Sequence, residues 1–421
     1  MEVFVAIMVL IAAGVLATTR RAYRIRRTRP VAVFVAGGWL SVLTGMLLGP
    51  GVLGWIDREA IFQAVPLLAI GLGWIGLLIG FQLRLSLLRS LPRTVYILAL
   101  ADACISALLF GSIAVLFIGW WVPEPSFAVL ALPAVFVAAS SMGWSVETRS
   151  LGIAFDERIV LLVRAAGALS GVGAVLLFGI TSKALGTDAS GVAAFLPERA
   201  AIKLLHGIAL AVAIGAIGRF MLKLASSSRG NQFAVFLGIV AFVSGAAKQL
   251  DVSPLITAMI AGAVITNMKS PDLREFESFI MRAEHTFAIL FGLLAGLLLQ
   301  PVWAPEILLA SLAVVVLRLS FKPVMFRILS LRFVAKHPAS KPQPPTALAH
   351  HMALARQSPL MLAVAVSLIL LEPSAFNKQL LWMMVLVGVA VEFPASISAL
   401  IARNRRSVST SVEAYARGGT S

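Results

Sequence analysis

The sequence predicts an all-α integral membrane protein with about thirteen transmembrane helices, and three observations support this prediction. Hydrophobic residues make up 59% of the 421-residue chain and charged residues only 13%, whereas soluble domains carry nearer a quarter charged residues. Apolar runs of about sixteen to twenty-five residues recur from end to end, and each can cross the hydrocarbon core as a helix. A helical bundle also satisfies the backbone hydrogen bonds internally, as lipid demands.

The apolar runs divide the chain into successive predicted spans with no separate soluble domain between them. Their approximate bounds are 3–18, 31–50, 62–80, 94–121, 127–146, 158–181, 200–222, 232–248, 253–267, 283–300, 307–327, 349–371 and 379–402. The first span follows Glu2 and precedes an arginine-rich segment, the reverse of the charge order in a cleaved signal peptide. It is therefore predicted to be a retained helix. The basic, proline-rich segment 328–348 is predicted to be a flexible cytoplasmic linker, and 403–421 a short cytoplasmic tail.

The basic residues between the spans predict the orientation of the chain. Most lysines and arginines outside the spans follow odd-numbered spans or lie in the tail. The loops after even-numbered spans hold Arg58, Lys183, Arg199, Lys248 and Lys378. Because cytoplasmic loops are enriched in Lys and Arg, the N-terminus is expected outside and the C-terminus in the cytoplasm. The expected location is a bacterial inner or plasma membrane.

Several classes of function are disfavoured by what the sequence lacks. The net charge of +16 is spread through the loops between spans, so a nucleic-acid partner is not expected. The single Cys104 allows no intrachain disulfide, and without a Cys/His cluster no metal site is predicted. The sequence contains no glycine-rich phosphate loop or nucleophile constellation, so neither an enzyme nor a cofactor is expected.

Four segments, taken in order, resemble a known family of transporters. They are GWLSVLTGMLLGPGVLGWI, LGWIGLLIGFQLRLSLLR, QLDVSPLITAMIAGAVITN and AEHTFAILFGLLAGLLL. The first contains Gly45, Gly49 and Pro50 in a GxLLGP ending, and the second is similar to a helix that ends in F-x-x-G-L-E. Together they resemble the monovalent cation:proton antiporter family, in particular its Kef-type sodium/potassium:proton exchangers, over roughly residues 5–402.

The resemblance implies a fold of two inverted repeats in which a core moves against a scaffold. The core would comprise about 94–181 and 307–402. The scaffold would comprise about 1–93 and 232–300, with a linker helix at about 200–222, and it would form a homodimer within the lipid bilayer. The fifth and twelfth spans would be broken, crossing helices, because small hydroxyl residues and proline allow a helix to break where neighbours satisfy its backbone. The residues with that character are Ser140, Ser141, Gly143, Ser145, Ser358 and Pro359.

The expected ion site departs from the family pattern. Alignment of Arg158 with the family's arginine at the start of the sixth span places the usual acidic pair at Gly167 and Ala168, and neither can bind a proton or a cation. Ionisable residues inside spans are costly and are candidates for function by default. Asp102 and Glu392 are the acidic candidates, although a hydrogen-bonded core acid and a structural ion pair are alternative interpretations.

Three arginines could complete the same site. Arg318 matches by position the basic residue that the family carries in the eleventh span, and Glu392 is its first predicted partner. Arg164 could replace the charge of a bound cation or stand in a cytoplasmic vestibule. Arg356 could line the same cavity from the twelfth span.

Small residues at helical spacing suggest close contacts between helices. Gly73, Gly76 and Gly80 form one stripe, and Gly292 and Gly296 form a GxxxG pair. Such stripes allow helices to approach closely, and internal packing is a commoner use of them than a dimer contact.

The leading functional interpretation is a secondary active transporter that exchanges a monovalent cation for protons by alternating access of the core. Asp102 or Glu392 would then carry the proton. One alternative is a transporter of an anionic or neutral solute that uses the arginines. Another is a non-transporting membrane scaffold or sensor with a degenerate ion site.

Overall fold

The computed structural model describes residues 38–93, 95–97, 99–104, 106–108, 157–187, 193–195, 197–225, 229–268, 286–334, 360–371, 373, 377–392 and 394. The predicted spans 3–18 and 127–146 and the tail 403–421 lie outside these residues. Within the described ranges, helices follow the predicted apolar runs in the same order. Because lipid offers no hydrogen-bond partners to backbone N–H and C=O groups, a helix is favoured along the whole length of each run.

The helices are numbered here in chain order. They are α1 Trp39–Leu48, α2 Arg58–Gln82, α3 Leu85–Ser90, α4 Val95–Leu108, α5 Glu157–Ala184, α6 Pro197–Leu224, α7 Arg229–Gln249, α8 Pro254–Asn267, α9 Thr286–Leu297, α10 Pro305–Val334, α11 Leu360–Leu371 and α12 377–392. In this part of the chain, three segments are long and apolar enough to cross a membrane: Arg58–Gln82, Ala201–Leu224 and Gly230–Gln249. They contain the predicted spans 62–80, 200–222 and 232–248, apart from Ala200 at one edge.

A small hairpin departs from the all-helical expectation. Strand β1, Leu185–Thr187, pairs antiparallel with β2, Ala193–Phe195. The hairpin falls in the segment between two predicted spans, where an irregular loop was expected. Pairing within the hairpin satisfies backbone groups that would otherwise rely on water.

The glycine stripe of α2 packs inside the molecule. A side chain at Gly76 would collide with the backbone carbonyl of Leu255 in α8, and one at Gly80 would collide with that of Met259. Gly73 faces the Ser244 hydroxyl of α7 in the same way. The prediction of internal packing for this stripe is therefore confirmed, because these backbones approach so closely that no side chain fits between them.

The second stripe joins α9 to α1. A side chain at Gly296 would collide with the carbonyl of Val42, and one at Gly45 would collide with that of Leu293. Gly45 belongs to the GxLLGP segment, so this motif contributes a glycine that allows α1 and α9 to cross closely. The GxxxG pair of α9 is thus also an internal contact.

A side-chain amide holds the break between α2 and α3. Asn267 at the end of α8 donates through Nδ2 to the carbonyls of Leu83 (2.8 Å) and Ala263 (2.7 Å). Its Oδ1 accepts a hydrogen bond of 2.7 Å from the backbone N–H of Leu85. A broken helix exposes backbone donors and acceptors that lipid cannot satisfy, and this one amide satisfies groups on both sides of the break.

Helix α11 lies at the centre of the described core. Every residue from Leu360 to Ile369 is buried, as expected of a helix that is apolar on all sides. Its one polar side chain in this stretch, Ser367, forms a hydrogen bond of 2.7 Å with Ser253, the residue preceding α8. This contact connects the twelfth predicted span with the ninth.

Candidate functional site

Helices α4 and α5 pack side by side and advance in the same direction. Val95, Ala99 and Ala166 form a small apolar cluster at one level of the contact. Further along both helices, the Ser170 hydroxyl donates a hydrogen bond of 3.1 Å to Oδ2 of Asp102. Small apolar side chains therefore bring the two backbones together, and the contact places a carboxylate of α4 against a hydroxyl of α5.

The carboxylate of Asp102 is entirely removed from solvent. Its exposed fraction is 0%, and that of Ser170 is 2%. Ser170 lies one helical turn after Gly167, which is also buried, and residues three apart share a helix face. Thus a carboxylate lies one turn from the position at which the family resemblance placed its acidic pair, although it comes from the neighbouring helix.

Two more ionisable side chains are buried with Asp102. Arg318 of α10 and Glu392 of α12 are each only 1% exposed. The charges of both Asp102 and Glu392 act on the Arg318 guanidinium. The structure thus brings two carboxylates near Arg318, whereas the pairing of Arg318 with Glu392 stays a prediction.

A close contact with α1 positions the end of α12 that carries Glu392. The indole ring of Trp39 fills the space next to Gly388, where any side chain would collide with it. Gly388 lies one helical turn before Glu392, on the same face of α12. The position of this carboxylate is therefore fixed by the packing of α12 against α1.

The three charges do not cancel. Among the described side chains, which do not include those of Arg164 and Arg356, Asp102, Glu392 and Arg318 together carry a net charge of −1 when both carboxylates are ionised. An unbalanced charge is costly in a low-dielectric interior, and a single proton or monovalent cation would neutralise it. The chemistry that this arrangement supports best is reversible binding of one positive charge.

Several predicted site residues are not placed by the structure. Arg164 belongs to α5, but its side chain is outside the described set, whereas Ala168 is half-buried near Gly167. Arg356 lies outside the described residues. So do the six residues predicted for the broken, crossing helices, which are Ser140, Ser141, Gly143, Ser145, Ser358 and Pro359. Sequence reasoning missed Ser170, for which the available signal was a hydroxyl one turn after the altered pair.

The fold and the site together define a class of protein. Closely packed apolar helices that surround a buried cluster of opposite charges are typical of membrane transporters, where ionisable residues mark ion pathways. Among the described residues, no group of three or more His, Cys, Asp or Glu side chains is arranged to hold a metal ion.

The comparisons identify the family. The chain matches the family model described as "Sodium/hydrogen exchanger, transmembrane" over residues 3–401. It therefore belongs to the sodium/hydrogen exchanger family, a family of transmembrane antiporters. No curated protein matches the chain at the threshold applied.

A solved structure shows the same fold. The chain is similar to the sodium proton antiporter MjNhaP1 from Methanocaldococcus jannaschii, determined at pH 8, with a TM-score of 0.59 and 17% sequence identity. The similarity covers 96% of this chain and 98% of that one. The antiporter fold thus extends over nearly the whole chain.

Proposed function

We propose that this protein is a secondary active transporter that exchanges a monovalent cation for protons, with Asp102 as the carboxylate for which the two compete. The observation that carries the proposal is the buried Asp102–Ser170 contact, one turn from Gly167. In this chain α4 would supply the carboxylate that is missing at Gly167 and Ala168 of α5. Membership of a sodium/hydrogen exchanger family supports this assignment of the substrates.

The charge of the cluster explains how exchange would be coupled. When Asp102 holds either a proton or a monovalent cation, the Asp102–Arg318–Glu392 cluster is neutral. The site can then switch from one side of the membrane to the other without carrying a net charge through the low-dielectric interior. When it holds neither, the net charge of −1 remains in a low-dielectric interior, which costs several kcal/mol. Movement of the unloaded site is thereby suppressed, and exchange is favoured over a leak.

Arg318 would act as a fixed counter-charge. Without it, two negative charges would repel each other in the same buried cluster. With it, Glu392 keeps an opposite charge nearby while Asp102 exchanges its partner. Arg318 can act on both carboxylates in this way because their charges both act on its guanidinium.

The proposal also includes the larger mechanism. The core at about 94–181 and 307–402 would move against a scaffold at about 1–93 and 232–300, in the manner of alternating access with crossed broken helices. The N-terminus would lie outside and the C-terminus in the cytoplasm, and the scaffold would form a homodimer. Mass measurement in mild detergent that found only monomer at every concentration would contradict the dimer.

Transport of an anion is less well supported by the described site. Two ionised carboxylates and one guanidinium carry a net charge of −1, which attracts cations and repels anions, and these three groups become positive only when both carboxylates are protonated. A non-transporting scaffold would have no use for three buried charges, whose replacement by apolar residues is often stabilising. The retained cluster therefore favours cation exchange. Within the family, the Kef-type branch remains our expectation from the sequence motifs.

The decisive experiment is a flux assay in proteoliposomes with a pH-sensitive dye inside. Na⁺, Li⁺ and K⁺ would be tested as the driving cation, and one of them should move protons. Asp102→Asn should abolish that exchange. Asp251→Asn is a suitable control, because Asp251 is an exposed carboxylate paired with Lys203 at 2.8 Å. Wild-type protein that exchanges none of the three, or full exchange by Asp102→Asn, would refute the proposal.

A further inference from the structure

Ser106 is a buried hydroxyl that the site described so far does not use. It lies in α4 with an exposed fraction of 0%, and among the described residues its Oγ has no hydrogen-bond partner. Ser106 follows Asp102 by four residues, so the two side chains share one face of the helix. The unsatisfied hydroxyl therefore lies on the face that carries the carboxylate.

Other buried serines in this structure form a hydrogen bond with the backbone of their own helix. Ser244 donates to the carbonyl of Val240 and Ser311 to that of Ile307, each at 2.7 Å. This bond to the residue four before is the usual solution for a buried hydroxyl in a helix. Ser106 does not use the corresponding carbonyl, although a buried polar group without a partner lowers stability. Its orientation thus calls for another explanation, such as a bound ion.

We infer that Ser106 is a ligand of the transported cation, which Asp102, Ser170 and Ser106 would hold together through three oxygen atoms. This inference rests on the proposed function and adds the coordination site to it. Carboxylate and hydroxyl oxygens are hard ligands suited to alkali-metal ions. The Ser170 Oγ and Asp102 Oδ2 atoms are already 3.1 Å apart, a spacing that a small ion bridges and a large ion would have to widen. The expected substrates are accordingly Na⁺ and Li⁺ rather than K⁺.

The same arrangement accommodates the proton. When Asp102 is protonated, its O–H can donate to the lone pairs of Ser106, and when a cation is bound, those lone pairs turn to the metal. The Ser106 hydroxyl is satisfied in both loaded states. Since it is not satisfied when Asp102 holds neither, it adds to the preference of the site for being loaded.

The test measures the apparent KM for Na⁺ in proteoliposomes and the thermal stabilisation of purified protein by NaCl, with choline chloride as the salt control. Ser106→Ala should raise the KM by about tenfold or more, which corresponds to the loss of one ligand, with maximal exchange retained. Thermal stabilisation of Ser106→Ala should also require higher NaCl concentrations than that of the wild type, because the stabilisation depends on how far the cation site is occupied. Ser106→Thr keeps the hydroxyl and should keep the KM within about threefold.

Two further variants separate ligation from packing. Ser311→Ala removes a hydroxyl of similar burial that its own helix satisfies, and it should leave the KM unchanged. Ser106→Cys preserves the side-chain shape but replaces oxygen by sulfur, a poor ligand for hard cations. It should therefore raise the KM for Na⁺ as Ser106→Ala does, and it provides the test if Ser106→Ala folds badly. If Asp102→Asn abolishes exchange while Ser106→Ala and Ser106→Cys both keep the wild-type KM, the ligand assignment is wrong and the proposed function stands. If the wild type shows neither exchange nor stabilisation by Na⁺ or Li⁺, the ligand assignment is wrong, and if K⁺ also drives no exchange, the proposed function is wrong as well.

Discussion

Replacement of Arg318 by glutamine should destabilise the protein more than replacement of either carboxylate. The wild-type cluster carries a net charge of −1. Arg318→Gln takes it to −2, whereas Glu392→Gln and Asp102→Asn each take it to zero. Loss of one partner from a buried ion pair costs about 3–5 kcal/mol. Arg318→Gln should lie at or above that range, because two carboxylates lose their partner at once.

Glu392→Gln should cost less than a lone ion pair would suggest. Arg318 keeps Asp102, whose charge also acts on it, so the cost should fall below the roughly 3–5 kcal/mol of a buried ion pair that loses one partner. The double variant Arg318→Gln with Glu392→Gln returns the cluster to −1. It should therefore be more stable than Arg318→Gln alone, with a coupling energy of about 1–3 kcal/mol.

The assay is thermal unfolding in detergent, followed by tryptophan fluorescence, with all variants at one scan rate. The reasoning would be refuted if Glu392→Gln were the more damaging single change. It would also be refuted if the effects of the two single changes simply added.

Three further predictions test the packing and the topology. Gly76→Ala should cost about 1–3 kcal/mol of stability through overpacking against the Leu255 carbonyl, measured as a lower unfolding midpoint. Gly238→Ala, which has nothing within 4 Å of the new methyl group, should be neutral or slightly stabilising. Asn267→Ala should cost about 1–3 kcal/mol, because it leaves backbone groups at the α2–α3 break unsatisfied, and hydrogen exchange should increase there. A cysteine introduced in 183–198 should react with an impermeant reagent from outside, whereas one in 336–345 should react only after permeabilisation. The reverse labelling pattern would overturn the orientation.

The fold was readable from the sequence because lipid restricts the choices. An apolar run of sufficient length must be a helix, and Arg58–Gln82 extends the predicted 62–80 by four residues at its start and two at its end. The small-residue stripes were equally readable, because a helix position without a side chain has few uses other than close packing. The strand pair of 185–187 and 193–195 was missed, since Leu-Gly-Thr and Ala-Ala-Phe are too short to show a strand pattern.

The charged part of the site was readable for a related reason. Asp102, Arg318 and Glu392 stand out because a charge inside an apolar run is expensive. The sequence could not show that the charges of both Asp102 and Glu392 act on Arg318, because that depends on how distant helices pack. Ser106 and Ser170 gave little signal, since a helical serine is normally satisfied by its own backbone. Their importance depends on the contact between α4 and α5, which no local pattern encodes.

The hydrogen bond between Ser253 and Ser367 has a consequence for how the protein would move. Ser253 occupies the N-cap position of α8 with suitable backbone angles, yet its hydroxyl makes no capping bond and is bonded to Ser367 instead. A slide of α11 by one turn, about 5.4 Å, would carry Ser367 away from it. Ser253 could then turn and accept a bond from a free N–H at the start of α8, as N-cap serines do. The Ser253 hydroxyl would thus bond to Ser367 in one position of α11 and cap α8 in the other. Each position would be a stable state, and the hydroxyl would be unsatisfied only during the transition between them.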